Sequence, residues 1–207
     1  MVLEVNGTVI ATPMCTPRDL HLLALGYLLT SGTISSPDEV LSLVVSPDNA
    51  RVSARCASGV PAGIRPLPTL PRGETFPLVS IQGWVREMFD RAEIRRETGG
   101  GMHSAGLADR GGLRWMYEDV GRHNAVDKAI GRGVLERIDF SRCCLVSSGR
   151  IAAEIAQKAV AAGVPVFASR SIPTTAAYEM AVERGLTLIG RIASDSPVVY
   201  TMRERVS

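Results

Sequence analysis

The most polar stretch of the chain reads Glu118-Asp-Val-Gly-Arg-His-Asn-Ala-Val-Asp-Lys128, and seven of its eleven residues are polar or charged. It lies between a strand-like run and a helix-like run. Gly121 permits a sharp turn, and Asp119 or Asn124 is a candidate to cap the helix that follows. The free N–H groups and positive end of such a helix favour an anionic ligand. The stretch therefore predicts a binding site, with a purely structural charged helix start as the alternative.

Strands and helices alternate on both sides of this stretch. The predicted strands cover residues 104–108, 113–120, 143–146, 164–169, 186–190 and 198–201. The predicted helices cover residues 79–92, 125–135, 151–162 and 176–184. This alternation predicts an α/β fold in which helices cover both faces of a mostly parallel or mixed sheet.

The N-terminal part of the chain has a different pattern. Residues 2–13 read as a hairpin with its turn at Asn6-Gly7, and a helix is expected from Thr16 to Leu29. Two strands, 41–45 and 50–54, precede a loop rich in proline and glycine over 56–75. We therefore expect a smaller N-terminal α+β lobe over residues 1–75 and an α/β core over residues 76–207.

Three predicted turns between a strand and a helix carry most of the polar side chains: 119–128, 147–150 and 169–175. In an open α/β sheet, ligands bind where such turns gather at the carboxyl ends of the strands. A pocket rich in arginine, serine and glycine suits phosphate groups. The candidate contact residues are His103, Arg122, His123, Asn124, Ser148, Arg150, Ser169 and Ser171.

Several of these candidates have alternative roles. His123 is a candidate general base, a candidate hydrogen-bond donor to a phosphate, or a packed cap residue. His103, which follows three glycines, has the same alternatives. Arg150 either anchors a phosphate or pairs with Glu154. Residues 127–128 are read as an ordinary solvated helix face.

Composition excludes several classes of protein. The net charge is +2 and no basic block is present, so nucleic acid is not expected as a partner. No apolar run is long enough for a transmembrane helix, and residues 1–7 lack a signal-peptide pattern, so a cytoplasmic location is expected. No zinc deaminase, Walker or nucleophile-elbow motif occurs, and no metal site is expected.

The chain contains four cysteines whose spacing fits neither a zinc ribbon nor a disulfide framework. Cys143 and Cys144 lie in a buried-strand pattern, which predicts a structural role. Cys15, between two Thr-Pro segments, is read as a packing residue of the core or the surface without a chemical role. Cys56 begins the long loop and is the candidate for chemistry.

Taken together, several of these stretches resemble the formate dehydrogenase accessory protein family (FdhD) over nearly the whole chain. The matching segments are Glu118–Lys128, Ser148-Gly-Arg150, Lys158-Ala159, Ala162-Gly-Val-Pro-Val166, Gly185-Leu-Thr-Leu-Ile-Gly190, Thr98-Gly-Gly-Gly-Met-His103, residues 25–34 and Val199-Tyr-Thr201.

The resemblance implies a core like that of the cytidine deaminases without their zinc site, and a homodimer. It also implies that the protein binds the molybdenum cofactor in its bis(molybdopterin guanine dinucleotide) form as cargo, with a guanine nucleotide as a partial mimic. Members of the family pass persulfide sulfur from a cysteine desulfurase to this cofactor, which then goes to formate dehydrogenase. The family's cofactor-contacting segment corresponds to Arg191, Ile192, Ala193, Ser194, Asp195 and Ser196.

The chain departs from the family at three places. The sulfur-carrying loop of the family has Cys-x-x-Cys, whereas this chain has Cys56-Ala-Ser-Gly59. Residues 191–196 are more acidic than the usual pattern, and the run at 99–101 adds one glycine. A single exposed thiolate at Cys56 still suffices to carry a persulfide. We therefore expect a sulfurtransferase-type accessory protein, with a non-catalytic carrier of the cofactor or of a guanine nucleotide as the alternative.

Overall fold

A computed structural model of the chain describes residues 1–57, 59 and 65–207. Its strands are β1 (Val2–Val5), β2 (Thr8–Ala11), β3 (Val40–Val45), β4 (Arg51–Cys56), β5 (His103–Asp109), β6 (Gly112–Asp119), β7 (Cys144–Ser147), β8 (Val166–Ser169), β9 (Thr187–Gly190) and β10 (Val198–Val199). Its helices are α1 (Leu20–Thr30), α2 (Leu78–Asp90), α3 (Glu93–Glu97), α4 (Arg122–Leu135), α5 (Ala153–Ala162) and α6 (Thr175–Arg184). None of the helices in these residues has the length and apolar character needed to cross a bilayer.

Six strands form the larger sheet in the order β10-β9-β8-β7-β5-β6. The central strands β7, β8 and β9 are parallel, whereas β5, β6 and β10 join their neighbours in antiparallel pairs. The mixed α/β fold expected from the alternation of strands and helices is therefore confirmed.

Both faces of this sheet are covered by helices. Leu145, Phe167 and Leu188 point to one face, where they pack with residues of α4, α5 and α6. Val146 and Ala168, one residue further along their strands, pack on the other face against α2. Side chains of successive strand residues point to opposite faces, so strands buried on both sides read as continuous apolar runs.

Four strands form the smaller sheet in the order β2-β1-β4-β3. The predicted hairpin turn is confirmed, because Asn6 and Gly7 both have positive φ, at 48° and 84°. The strand β1 also pairs in parallel with β4. Asn6 fastens this pairing: its Nδ2 donates to the Cys56 carbonyl and its Oδ1 accepts from the Cys56 N–H, each at 3.0 Å.

Helix α1 lies between the smaller sheet and α4. Leu20 and Ala24 pack with Leu3 of β1. On the side facing α4, a Cβ added at Gly26 would lie 1.8 Å from a carbonyl oxygen of α4, and one added at Gly131 of α4 would lie 1.9 Å from a carbonyl oxygen of α1. The two helix backbones are therefore in direct contact at these glycines.

Two expectations about local structure, and one alternative reading, were wrong. The side chains of residues 127–128 are buried rather than solvated. Gly121 is the N-cap of α4, and no side chain caps the helix. Among the described residues, neither Arg150 nor Glu154 takes part in an ion pair.

The loop predicted over 56–75 begins one residue later than expected, because Cys56 is the last residue of β4. Residues 58 and 60–64 of that loop lie outside the described residues. The division of the chain at residue 75 and the likeness to cytidine deaminases stay predictions.

Candidate functional site

The carboxyl ends of the parallel strands gather polar residues at one edge of the larger sheet. Strands β7 and β8 end there at Ser147 and Ser169. The antiparallel strand β5 begins at the same edge, where His103 pairs with Asp119 at the end of β6. We use the name polar edge for the following residues: His103, Arg122, His123, Ser148, Arg150, Ser169, Ser171 and Arg191.

Backbone and hydroxyl hydrogen bonds hold the turns of the polar edge together. The buried Ser169 hydroxyl donates to the Gly149 carbonyl and accepts from the Ser171 N–H at 3.2 Å. The Arg191 N–H in turn donates to the Ser171 carbonyl at 3.1 Å. The turns predicted to carry ligand groups are therefore brought together, with Ser169 acting as their link.

Two buried polar atoms at this edge have no hydrogen-bond partner among the described residues: Ser104 Oγ and Arg122 Nε. Ser104 pairs through its backbone with Ser148, whose N–H donates to the Ser104 carbonyl and whose Oγ accepts from the Ser104 N–H, both at 2.9 Å. A Cβ at Gly149 would lie 3.0 Å from Arg122 Cβ, so the glycine leaves room for that arginine. Because buried polar groups are usually paired, these two atoms leave hydrogen-bonding capacity unused at this edge.

The polar edge carries a concentrated positive charge. Burial lowers the pKa of His103, and nearby guanidinium groups lower it further, in the order Arg122, Arg95, Arg170 and Arg150. No carboxylate forms an ion pair with any of these four arginines within the part of the chain that the structure describes. An anionic ligand would compensate this charge.

His123 lies half-buried at the start of α4. Burial is the main cause that lowers its pKa, followed by the charges of Arg122 and Lys158. The neighbouring Glu154 carboxylate acts in the opposite direction. His123 is therefore a neutral imidazole near pH 7, with one nitrogen able to donate and the other able to accept.

The other charged residues of the opening stretch are held inside the protein. Lys128 Nζ lies 2.6 Å from Asp119 Oδ2, and both side chains are fully buried. The Asp119 carboxylate also accepts from the N–H groups of Thr16 and Gly121 and from Asn124 Nδ2. The structural alternative is therefore right for Asp119 and Lys128, while Arg122 and His123 of the same stretch lie at the polar edge.

Asn124 has two intramolecular partners, since its Nδ2 also donates to the Met14 carbonyl at 2.7 Å. Its side chain is buried, and its contact with a cofactor stays a prediction. One turn further along, the Asp127 carboxylate accepts from Lys158 Nζ at 2.8 Å through each oxygen and from Thr30 Oγ1 at 2.8 Å. Burial raises the pKa of Asp127. These bonds join α4 to α5 and α1.

The predicted cofactor segment 191–196 follows β9 at the same edge. Arg191 adopts a left-handed conformation with φ of 54°, and Ser194 Oγ donates to its carbonyl at 2.8 Å. Ile192 is buried against the face covered by α2, which makes its side chain part of the core. The exposed members of the segment are Arg191, Ala193, Asp195 and Ser196. The part that these residues take in ligand binding stays a prediction.

Cys56 lies on the smaller sheet, apart from the polar edge. The expectation of an exposed thiolate was wrong, because only 5% of the residue is exposed. The thiol is surrounded by Val5, Leu28 and Ile34. Burial, followed by the Glu39 carboxylate, raises the pKa of Cys56. In this conformation the thiol is therefore protonated and shielded.

Sequence patterns did not indicate three residues beside the polar edge: Phe89, Arg95 and Arg170. Phe89 lies within the predicted helix over 79–92, and Arg95 lies shortly before the glycine run at 99–101. Arg170 follows directly after Ser169, and this position was the one available signal. The structure places both guanidinium groups near His103.

Comparison with known proteins identifies relatives of this chain. The sequence profile described as the FdhD/NarQ family matches residues 1–65 and 54–207. A protein named sulfur carrier protein FdhD from Sulfurisphaera tokodaii is 36% identical over 211 residues, which cover 93% of this chain and 82% of the relative. A protein of the same name from Streptomyces avermitilis is 32% identical, and the match covers 99% of this chain and 86% of that relative.

The fold is also similar to a solved structure. A crystal structure described as a formate dehydrogenase accessory protein from Desulfotalea psychrophila superposes with a TM-score of 0.85 and 27% sequence identity. The match covers 100% of this chain and 87% of that chain. From the profile, the relatives and the fold together, the chain belongs to the FdhD/NarQ family.

Proposed function

We propose that this protein is an accessory protein of formate dehydrogenase that carries sulfur to the molybdenum cofactor. In this proposal the cofactor is molybdenum bis(molybdopterin guanine dinucleotide), bound as cargo, and the sulfur comes from a cysteine desulfurase. The names of the relatives, sulfur carrier protein and formate dehydrogenase accessory protein, support this assignment. The protein acts in the cytoplasm as a homodimer.

The observation that carries the binding half of the proposal is the group of arginines around His103, none of which pairs with a carboxylate among the described residues. Guanidinium groups form strong, charge-assisted hydrogen bonds with phosphate oxygens. Arg122 Nε, which has no hydrogen-bond partner among the described residues, supplies a further hydrogen bond. A guanine dinucleotide presents phosphates to such groups and a base to their neighbours.

Cys56 is the sulfur carrier in this proposal. Its thiolate attacks the outer sulfur of the desulfurase persulfide, so that a new S–S bond forms on Cys56 and the desulfurase thiolate leaves. Because Cys56 is buried and its pKa is raised, this step requires a local opening around the end of β4. Docking of the desulfurase supplies that opening.

Persulfide labelling tests the transfer. The protein is incubated with a cysteine desulfurase and cysteine, and the mass of the intact chain is measured. We expect the wild type to gain one sulfur atom and Cys56→Ala to gain none, with Cys15→Ala as the control that still gains it. Equal results for wild type and Cys56→Ala would refute the role of Cys56.

Binding of guanosine diphosphate tests the polar edge. We expect Arg150→Ala and His123→Ala each to weaken binding about tenfold, since each removes one hydrogen bond to a charged group. Arg110→Ala is the matched control, because Arg110 lies in the β5–β6 turn at the opposite end of the sheet. Full affinity in both edge variants would overturn this site.

The second candidate is a carrier that binds the cofactor or a guanine nucleotide without transferring sulfur. The burial of Cys56 and the sequence Cys56-Ala-Ser-Gly59, which has no second cysteine, favour it. This candidate predicts nucleotide binding in a protein that takes up no sulfur.

A further inference from the structure

Two guanidinium groups face the same aromatic ring beside the polar edge. The Arg95 Cζ lies 5.7 Å from the centroid of the Phe89 ring, and the Arg170 Cζ lies 5.5 Å from it. Phe89 is near the end of α2, Arg95 lies on α3, and Arg170 follows β8. Residues from three separate elements therefore converge on one point.

The position of Arg95 is set by a carboxylate that belongs to the opening stretch. The Glu118 side chain accepts from the N–H groups of Ile94 and Arg95 at 2.8 and 2.9 Å, which holds the start of α3. Arg95 Nη1 donates to the Met102 carbonyl, next to His103, at 3.3 Å. Glu118 thus anchors the backbone of α3 and leaves the Arg95 guanidinium directed to the edge.

The position of Arg170 is set by the sheet. Its backbone N–H donates to the Ser147 carbonyl at 3.4 Å, and the next residue, Ser171, is held by Ser169 Oγ. The Arg170 side chain is exposed. The Arg170 guanidinium therefore lies beside the turns that are predicted to bind a ligand, and it stacks over the Phe89 ring.

Both guanidinium groups approach one ring, so a negatively charged group placed near that ring is attracted by both. The ring itself also attracts each cation that lies over its face. Neither guanidinium has a carboxylate partner among the described residues. Arg122 and Arg150 add two further positive charges around His103. Four such charges exceed the roughly two negative charges of a single phosphate monoester.

We propose that Arg95 and Arg170, supported by the ring of Phe89, form a clamp for the diphosphate group of the bound nucleotide. This inference rests on the proposed function, because it assigns phosphate recognition within the same site. Each arginine binds the diphosphate oxygens, and the planar ring holds both guanidinium groups in the orientation that a bidentate contact needs. The clamp recognises the diphosphate and not the base.

The test compares the affinities of guanosine diphosphate and guanosine for wild type, Arg95→Gln, Arg170→Gln and the double variant. We expect each single variant to lose about tenfold in affinity for the diphosphate and the double variant to lose more. Affinity for guanosine stays unchanged. Arg96→Gln is the matched control, because Arg96 lies on the same helix and is exposed. Arg95→Lys, which keeps the charge, shows partial rescue if the variant is folded.

Inorganic pyrophosphate separates failure of the clamp from failure of the nucleotide proposal. If wild type binds pyrophosphate and the double variant does not, the clamp stands even when guanosine diphosphate fails to bind, and only the guanine ligand is refuted. If the double variant binds guanosine diphosphate and pyrophosphate as tightly as wild type, the clamp is refuted. Equal losses for guanosine and its diphosphate also refute it, because they indicate general damage to the site.

Discussion

Lys128 Nζ and Asp119 Oδ2 lie 2.6 Å apart in a part of the protein that solvent does not reach. Lys128 Nζ also donates to the Thr16 and Glu118 carbonyls at 3.2 and 3.4 Å. The pair therefore fastens the segment before α1 to the junction that leads to Arg122. It stabilises the geometry of the polar edge without lying at that edge.

Replacing Lys128 by methionine tests this role. We expect Lys128→Met to lower the free energy of unfolding by about 3–5 kcal/mol, because Asp119 is left buried without its counter-ion. Urea denaturation measures the change. Arg91→Met is the control, since its ion pair with Glu87 is exposed and is worth about 1 kcal/mol or less. Similar losses for both variants would contradict the role of the buried pair.

The contact between α1 and α4 gives a second prediction. We expect Gly26→Ala to lower the free energy of unfolding by about 3 kcal/mol or more, because the added methyl group meets the backbone of α4 and cannot be relieved by a side-chain rotation. Gly83→Ala in α2 is the matched control, since nothing lies within 4 Å of its added Cβ. That variant should gain about 0.5–1 kcal/mol from its better helix propensity. A stable Gly26→Ala protein would show that the helices separate easily.

The buried thiol of Cys56 gives a prediction about pH. Its pKa is raised by burial and by Glu39, so the reactive thiolate is scarce near neutral pH. The rate of alkylation by iodoacetamide, followed by mass spectrometry, should rise with pH to a midpoint above that of an ordinary cysteine, because the pKa of Cys56 is raised. Glu39→Gln should lower that midpoint. A midpoint at or below the ordinary value would mean that Cys56 is open to solvent in the free protein.

The two histidines of the polar edge give a fourth prediction. The pKa values of His103 and His123 are both lowered, so the folded chain binds fewer protons than the unfolded chain below about pH 6.5. The free energy of unfolding should therefore fall as the pH decreases through that value. His103→Gln and His123→Gln should each reduce this dependence.

Nuclear magnetic resonance of the histidine ring protons checks the same point directly. Both titration midpoints should lie below the ordinary value, and pyrophosphate should raise that of His103 because it compensates the surrounding guanidinium charges. Unchanged midpoints with saturating pyrophosphate would place the anion away from His103.

Local patterns in the sequence predicted the elements well where one short signal defines them. The Asn6-Gly7 turn, the mixed α/β sheet and the buried Cys144 strand are confirmed. The gathering of the serine turns at one edge also follows from strand direction, since parallel strands end on the same side.

Contacts between distant residues were beyond such patterns. Asp127 and Lys128 look like a solvated face, because charged residues usually are solvated. Their partners, Lys158 and Asp119, and the carbonyl of Thr16 come from other elements. Burial of these charges is a property of the assembled fold.

Cys56 was misjudged for a related reason. Its predicted place at the start of the loop over 56–75 went with an exposed thiolate, yet the antiparallel pairing of β3 with β4 carries the strand through to this residue, where Val40 pairs with Cys56. The Asn6 side chain then fixes its backbone from fifty residues away. A side-chain contact between residues so far apart leaves no local trace.

The backbone contact of α1 with α4 restricts how the smaller sheet can move relative to the larger sheet. Because helix backbones touch at Gly26 and Gly131, sliding by one turn would drive side chains into carbonyl groups, so the small sheet cannot swing towards the polar edge as a hinged lid. The smaller sheet, which carries Cys56, and the larger sheet, beside which the arginines lie, are thus held in a fixed relative position. Under the proposed function, a local opening at the end of β4 or a movement of the bound ligand, rather than a movement of the whole smaller sheet, therefore brings the thiol and the ligand together.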